Sequence, residues 1–422
     1  MLSIIKEALE KAGVSVWQIH VTEEESAELY FILHHLDMHR MKHTKKYLVT
    51  VYRDFEKNGK AMRGSSTAHL TSSYTKEEVE NAIKGAYYAA SFVANPTYRL
   101  PDAAKDHVPA PLQMPVEDSA LLLAEALMAG DCDEVAFVNS AEIFSHALHH
   151  HILSYSGTDI TFSEYAYKGE FVAQCKTPTD VEMHHQFSYS TPDANALTAK
   201  VTAALRRVKD RAKASPTLKG GQYTLLLSED YVATLFDYYL SRSDARSIYA
   251  GYSAWKVNEA VQDSGDGEDI SLSLVAKTPY SPSGIPMIDR PLVEKNVLRT
   301  IHGSDRFCAY LGIEMTGDYR AFSCDCGSVA LADMQKEPHL YVVSFSDFQM
   351  DAWTGHFGGE IRLAYYFDGK DTHVITGGSV NGNFADCKSS LKFSEERYQN
   401  EYYSGPFAVS LPGVSVAGQE NQ

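Results

Sequence analysis

The chain has 422 residues, of which 44% are hydrophobic and 22% are charged, and its formal net charge is −17. This length accommodates two domains of ordinary size, and the composition is typical of a globular protein. The acidic balance disfavours direct binding to nucleic acid or to an anionic membrane surface. No stretch approaches the roughly 18 apolar residues of a membrane-spanning helix.

The first half alternates predicted helices and strands. Residues 1–13 form an amphipathic pattern with lysines and glutamates between the apolar positions, which predicts a helix and not a signal peptide. Residues 14–21 and 28–36 are interpreted as two strands, residues 36–44 as a turn-like segment, and residues 47–53 as a further strand rich in β-branched and aromatic side chains.

Helix signals are clearest after this strand. Thr75 and Glu78 form a capping-box pattern ahead of an apolar stripe that runs from Val79 to Val93. A short helix is predicted over 118–128, strands dominate 135–186, and a helix follows as far as residue 214. We therefore expect a mixed α/β domain over residues 1–215.

The segment 215–221, with Pro216 and two glycines, is predicted to be a domain boundary. Beyond it, most of the pattern is short strands and turns, including an Asp-Gly hairpin signal at Asp368. The fold class is therefore predicted to be α+β, with a mostly antiparallel β domain over residues 216–422.

One helix stands near the start of this second domain. Residues 220–227 are predicted to be an apolar strand, and Ser228 is predicted to cap a helix with Glu229 and Asp230 in its first turn. Acidic side chains in the first turn interact favourably with the helix dipole, and this is the simplest role for Glu229.

Metal and redox motifs are weak. Histidines cluster in three places but show no fixed helical spacing to a carboxylate. These clusters comprise His34, His35, His39 and His43; His146, His149, His150 and His151; and His184 and His185. The six cysteines are scattered, which favours a reduced, cytoplasmic protein.

Glycine-rich segments recur beside serine, threonine and asparagine, at 63–67, 249–259, 354–360, 376–383 and 405–418. Bare backbone amides of this kind suit the close approach of an extended peptide. Tight turns in a β-rich domain are the alternative interpretation.

Taken in order, several short segments resemble the TldD/PmbA family, whose older name is "modulator of DNA gyrase". The segments are Arg63-Gly64, Tyr155-Ser156-Gly157, Gly251-Tyr252-Ser253, Thr316-Gly317, Thr354-Gly355-His356-Phe357 and Val414-Ser415-Val416-Ala417-Gly418. The resemblance extends over nearly the whole chain.

This resemblance implies a two-part peptidase in which one subunit carries a zinc-binding His-Glu-x-x-x-His helix and a later cysteine ligand. In this chain the two histidine positions are Ser228 and Ala233, and only Glu229 remains between them. The cysteine ligand is expected within 400–406, where the chain has none, and Cys387 is not assigned that role. The chain is therefore predicted to hold no zinc and to be inactive alone.

The favoured hypothesis is a non-catalytic subunit that pairs with a TldD-like zinc-bearing chain and holds an unfolded peptide. Ser253, Thr354, Gly355 and His356 are the predicted peptide contacts, and Glu229 occupies the zinc-helix glutamate position. The gyrase label then denotes an indirect effect and not DNA binding.

Two alternatives remain open at this point. The chain is a self-sufficient peptidase if His149, His151 and His184 converge on a zinc ion. It is a stand-alone peptide-binding homodimer if no zinc-bearing partner exists.

Overall fold

The computed structural model describes residues 1–215, 218–263 and 265–418. The first half contains helices α1 (Leu2–Lys11), α2 (Lys76–Ala90), α3 (Val116–Gly130) and α4 (Ala194–Lys213), and strands β1 (Val16–Ile32), β2 (His35–Lys57), β3 (Lys60–Thr71), β4 (Asn95–Pro96), β5 (Lys105–His107), β6 (Ala136–Ser154), β7 (Asp159–Cys175) and β8 (Val181–Tyr189). These strands form one sheet in the order β4-β3-β2-β1-β6-β7-β5, with β8 also paired to β7.

The second half contains helices α5 (Asp230–Ser243), α6 (Ala245–Tyr249), α7 (Asp305–Leu311), α8 (Leu331–Met334) and α9 (Phe384–Cys387). Its strands are β9 (Gly221–Ser228), β10 (Leu272–Val275), β11 (Arg290–Glu294), β12 (Val297–Leu298), β13 (Ala321–Cys324), β14 (His339–Met350), β15 (His356–Phe367), β16 (Thr372–Ile375), β17 (Ser379–Asn383), β18 (Lys392–Phe393), β19 (Arg397–Gln399), β20 (Tyr403–Pro406) and β21 (Ala408–Ala417).

Two sheets organise the second half. One follows the order β12-β11-β10-β13-β20-β19, and the other follows β14-β9-β21-β17-β15-β16. Because β14 also pairs with β15, strands β14, β9, β21, β17 and β15 of the second of these sheets close into a ring. Most pairings are antiparallel, so the predicted α+β fold, with a mixed first half and a mostly antiparallel second half, is confirmed.

The long hairpin of β1 and β2 corrects two predictions. Residues 16–32 form the single strand β1 where two strands were predicted, and residues 35 and 36 already belong to β2. The polar middle of β1 is paired across the sheet, where Glu24 contacts His146 of β6 at 2.9 Å. The predicted turn over 36–44 is part of β2, where Arg40 Nε donates to the buried Glu28 at 2.6 Å. Cross-strand ion pairs replace the apolar alternation that identifies a strand in sequence.

The core joins both halves. Helix α4 buries Leu197, Val201, Leu205 and Val208, the spacing of one helical face, against α3 and the first sheet. Side chains of β9, β14 and β15 pack in the same cluster. The predicted boundary at residues 215 and 216 remains a prediction, and residue 216 lies outside the described part of the chain.

Helix α5 lies in the core of the second half. Leu235, Phe236 and Tyr239 are fully buried on its inner face and belong to the hydrophobic core of this half. Within the described residues, no helix combines the length and the apolar character needed to cross a membrane.

Candidate functional site

The start of α5 differs from its prediction. Ser228 is the last residue of β9 and does not cap the helix; Glu229 occupies the cap position, without a side-chain capping bond. The physical reason is that Ser228 pairs with Ala408 of β21, and its hydroxyl accepts a hydrogen bond from Tyr341 at 3.0 Å.

Glu229 adopts a backbone conformation that is rare for a residue with a side chain, with φ 58° and ψ −128°. Such conformations cost roughly 1–3 kcal/mol and persist where the surroundings fix them. Here the Glu229 amide donates to the carbonyl of Phe407 at 2.9 Å, and the Val232 amide donates to the Glu229 carbonyl at 3.1 Å. The turn therefore joins β9, α5 and the segment before β21.

The Glu229 side chain is committed to an ion pair with α4. Arg207 donates to its carboxylate at 2.8 Å, and only 24% and 15% of the two side chains are exposed. Burial by itself raises the pKa of Glu229, but the Arg207 guanidinium outweighs it and holds the pKa below its usual value. A carboxylate with a lowered pKa is a weaker general base, so the ion pair disfavours that role.

A histidine lies behind this pair. Burial, together with Lys200 and Arg207, lowers the pKa of His185 to about 3. The ring is therefore neutral at physiological pH, and the charge balance beside the turn is set by Glu229 and the cations of α4.

A cavity of about 720 Å³ opens beside this turn. It lies between β7, β8, α4, the start of α5 and residues 397–402. Its aromatic lining residues are Phe144, Phe187, Tyr189, Tyr398 and Tyr402, and three alanines of α4 complete an apolar surface. This volume lies within the range of sites for small molecules or short peptide segments.

Asp230 connects the helix start to the segment in which the resemblance places a cysteine ligand. Its Oδ1 accepts hydrogen bonds from the Tyr398 hydroxyl and the Asn400 side-chain amide, each at 2.8 Å. The Asn400 side-chain oxygen accepts from the Tyr402 and Tyr403 amides. The structure thus brings together the two segments that sequence analysis singled out, and their polar atoms satisfy one another.

The zinc site implied by the resemblance does not fit these residues. Ser228 is buried and bonded to Tyr341, Ala233 packs against the core, and Asn400 is bonded to Asp230. Throughout 1–215, 218–263 and 265–418, no three His, Cys, Asp or Glu side chains are grouped to hold a metal ion. We therefore derive no zinc chemistry at this site.

The alternative set of three histidines is not brought together. His149 lies opposite Ser163 on β7, whereas His184 lies opposite Val172 of the same strand. Nine residues of a strand span about 30 Å, so His184 cannot share a metal ion with His149 and His151.

The predicted peptide contacts lie elsewhere in the second half. Ser253 is buried and accepts from the Trp255 amide at 3.3 Å. Thr354 and Gly355 form the turn between β14 and β15, and His356 begins β15 with an exposed side chain. None of the four lines the cavity at Glu229, and their role in binding a peptide remains a prediction.

Sequence analysis missed several residues of this cavity. Tyr189, Tyr398 and Asn400 are contributed by β8 and by the segment 397–402, and the Glu401 amide bonds to the Ser188 carbonyl at 3.0 Å. The only sequence signal was the expected ligand segment at 400–406. Its contact with β8 is a tertiary event that local patterns do not encode.

Comparisons with known proteins agree with this fold. Residues 220–418 match the family model of the PmbA/TldA metallopeptidase C-terminal domain. The structure is similar to TldE from Thermococcus kodakarensis, with a TM-score of 0.80 and 16% identity over 98% of this chain and 100% of that one.

It is also similar to two candidate modulators of DNA gyrase. That from Thermotoga maritima MSB8 has a TM-score of 0.77 and 14% identity over 99% of this chain and 100% of that one. That from Bacteroides thetaiotaomicron VPI-5482 has a TM-score of 0.76 and 16% identity over 99% of each chain. A search among curated proteins finds no match to the sequence. Residues 220–418 therefore belong to the PmbA/TldA metallopeptidase C-terminal domain family, and the chain as a whole shares its fold with TldE and the two candidate gyrase modulators.

Proposed function

We propose that this chain is the non-catalytic, peptide-holding subunit of a TldD/TldE-like zinc metallopeptidase in the cytoplasm. One observation carries the proposal. At the positions where the resemblance expects zinc ligands, Ser228 is bonded to Tyr341 and Asn400 is bonded to Asp230. Glu229, at the zinc-helix glutamate position, is paired with Arg207. A ligand-sized cavity is nevertheless retained beside them.

In this proposal the zinc ion is carried by a TldD-like partner chain, which supplies the chemistry of peptide hydrolysis. The residues of this chain bind and orient an unfolded peptide. Strand β8 pairs with β7 along one edge, and its residues Gln186 to Tyr189 line the cavity. On its other edge the Ser188 carbonyl already accepts from the Glu401 amide, so the peptide is held mainly by its apolar side chains against the aromatic walls.

The proposal is tested by reconstitution. The purified chain is expected to contain almost no zinc by elemental analysis, and to show no peptide cleavage alone. Mixing it with a zinc-bearing TldD-like chain is expected to give cleavage that neither shows separately. Full activity of the partner by itself, with no complex formed, would contradict the proposal, as would one tightly held zinc per copy of this chain.

A pair of variants on α4 tests the cavity. Ala199 lines it, and Ala199→Trp is expected to fill it and to abolish peptide binding and the gain in cleavage. Thr202 is exposed on the same helix and does not line the cavity, so Thr202→Trp is the matched control. Equal activity of the two variants in the complex would show that the peptide binds elsewhere.

A further inference from the structure

A second cavity, of about 740 Å³, lies at the opposite end of α5. Glu229 precedes the helix, whereas Asp237, at its middle, and Asp244, directly after its last residue, line the second cavity. The helix has 14 residues and is therefore about 20 Å long, so the two cavities are separate sites. The remaining walls come from residues 302–320 and from the turn between β14 and β15.

Three carboxylates face this cavity without a cationic partner. Asp237, Asp244 and Asp318 line it, and none of them takes part in an ion pair in the part of the chain that the structure describes. Asp244 uses one oxygen to cap α6, at 2.7 Å from the Arg246 amide. Burial, reinforced by Asp244 and Asp305 and opposed by Arg320, raises the pKa of Asp318. Carboxylates that repel one another in this way favour a bound cation.

Two guanidinium groups line the same cavity. Arg246 and Arg320 form no ion pair with any carboxylate of the described residues, although Asp244 and Asp318 line the same walls. Guanidinium groups bind carboxylates in a bidentate geometry. The cavity therefore presents both signs of charge, with no ion pair between them among the described residues, and a ligand with one charge would satisfy only half of them.

A buried histidine adds an unpaired acceptor. His302 lines the cavity with 3% of its surface exposed, and its Nε2 lies 3.2 Å from the carbonyl of Leu240. A carbonyl only accepts, so Nε2 carries the hydrogen and Nδ1 of the neutral ring is an acceptor. Burial lowers the pKa of His302, which keeps the ring neutral. Among the described residues Nδ1 has no hydrogen-bond partner, so this wall offers an acceptor to a ligand's hydrogen-bond donor.

An exposed aromatic pair forms the mouth. Tyr252 and Trp353 are 60% and 53% exposed, and their ring centroids are 5.2 Å apart. The Trp353 indole lies 3.4 Å from the Ser247 hydroxyl. Exposed aromatic faces beside carboxylates suit an organic ammonium group or an apolar side chain. Tyr252 belongs to the glycine-rich segment 249–259 singled out in sequence, and Trp353 directly precedes the segment 354–360.

We propose that this second cavity binds a zwitterionic ligand, either a free amino acid or a short peptide with both ends free. The ammonium group lies toward Asp237, Asp244 and Asp318, and the carboxylate lies toward Arg246 and Arg320. The ligand side chain packs against Tyr252 and Trp353. This site is independent of the peptide cavity at Glu229 and requires no partner subunit.

Calorimetry on the full chain with four phenyl compounds tests the charge requirement. Phenylalanine carries both charges, phenethylamine only the ammonium, phenylpropionate only the carboxylate, and N-acetylphenylalanine amide neither. Phenylalanine is expected to bind at least roughly tenfold more tightly than the other three, because each unsatisfied charge costs about that much. A phenylalanine dipeptide shows whether the source is a free amino acid or a peptide. Equal binding of a singly charged compound, or no saturable binding of phenylalanine, would overturn the proposal.

Single substitutions in the cavity walls test where the ligand binds. Asp318→Asn is expected to weaken phenylalanine about tenfold and to leave phenylpropionate unchanged, whereas Arg320→Gln is expected to weaken both. Asp37 is exposed on β2, and Asp37→Asn is the control that should change nothing. Ala199→Trp fills the other cavity and should leave phenylalanine binding intact. If Ala199→Trp abolishes phenylalanine binding, the ligand does not bind at Asp318, and this conclusion does not depend on whether the proposed function is correct.

Discussion

Replacing Glu229 by glutamine isolates the ion pair at the start of α5. Glutamine keeps the shape of the side chain and removes its charge, so Arg207 is left largely buried without a counter-charge. The two groups are 2.8 Å apart and are 24% and 15% exposed. Breaking a fully buried pair costs about 3–5 kcal/mol, because the remaining charge is desolvated and unpaired. Some water reaches this pair, so we expect a loss of about 2–3 kcal/mol in the free energy of unfolding.

The measurement is urea-induced unfolding followed by circular dichroism, with Glu170→Gln as the matched control. Glu170 contacts His184 at 3.2 Å, but the two side chains are 42% and 51% exposed. The control should therefore lose less than about 0.5 kcal/mol. If Glu229→Gln and Glu170→Gln unfold at the same urea concentration, the ion pair does not stabilise the helix start and our reasoning is wrong.

The strained backbone of Glu229 provides a second test at the same position. Glycine adopts φ 58° without a Cβ penalty, whereas alanine retains the strain. Both substitutions remove the ion pair, so their difference reports the backbone alone. We expect Glu229→Gly to be more stable than Glu229→Ala by roughly 0.5–1 kcal/mol, the strain relieved less the conformational entropy of glycine. A less stable glycine variant would show that the backbone is not strained.

Three further predictions follow from the structure. Because the pKa of Glu229 is lowered, its stabilising effect should be complete above about pH 4.5 and should shrink on acidification. The difference in unfolding free energy between wild type and Glu229→Gln should therefore disappear at low pH. A difference that stays constant with pH would refute this. Burial beside His150 lowers the pKa of His20 to about 4, so stability should fall as the pH drops from 6.5 toward 4, and His20→Gln should flatten that slope in pH-dependent unfolding. A Cβ on Gly64 would lie 1.8 Å from a backbone oxygen of α2, so Gly64→Ala should lower the unfolding free energy by at least about 2 kcal/mol. Gly85 lies in open space on α2, so Gly85→Ala should raise the unfolding free energy by about 0.5–1 kcal/mol. Equal melting temperatures of the two variants would contradict the close approach at Gly64.

Local signals predicted local structure. The capping box at Thr75 is present in full, and the helix ends close to the predicted residue. The Asp-Gly signal at Asp368 does lie between two paired strands, β15 and β16. Each feature depends on neighbouring residues, which is why the sequence alone sufficed.

Tertiary pairing was not predictable in the same way. The histidines at 35–43 follow no apolar alternation, and β2 exists there because Glu28 binds Arg40 across the hairpin. Ser228 has the residue type of a helix cap, yet its hydroxyl accepts a hydrogen bond from Tyr341, which is 113 residues away in the sequence. The cavity depends on the contact between Asp230 and Asn400, 170 residues apart. Sequence patterns identified the segment at Asp230 and the segment at Asn400, but not that the two are in contact.

The turn at Glu229 also explains how a site without zinc ligands keeps its shape. The strained backbone is fixed at its amide by Phe407, whose own amide donates to the Glu396 carbonyl at 2.7 Å. The same chain segment continues into Tyr398 and Asn400, which bond to Asp230. The Arg207 ion pair ties this unit to α4, one wall of the cavity. The glutamate thus supports the cavity as a structural residue, and changes at this position should alter peptide binding and stability together.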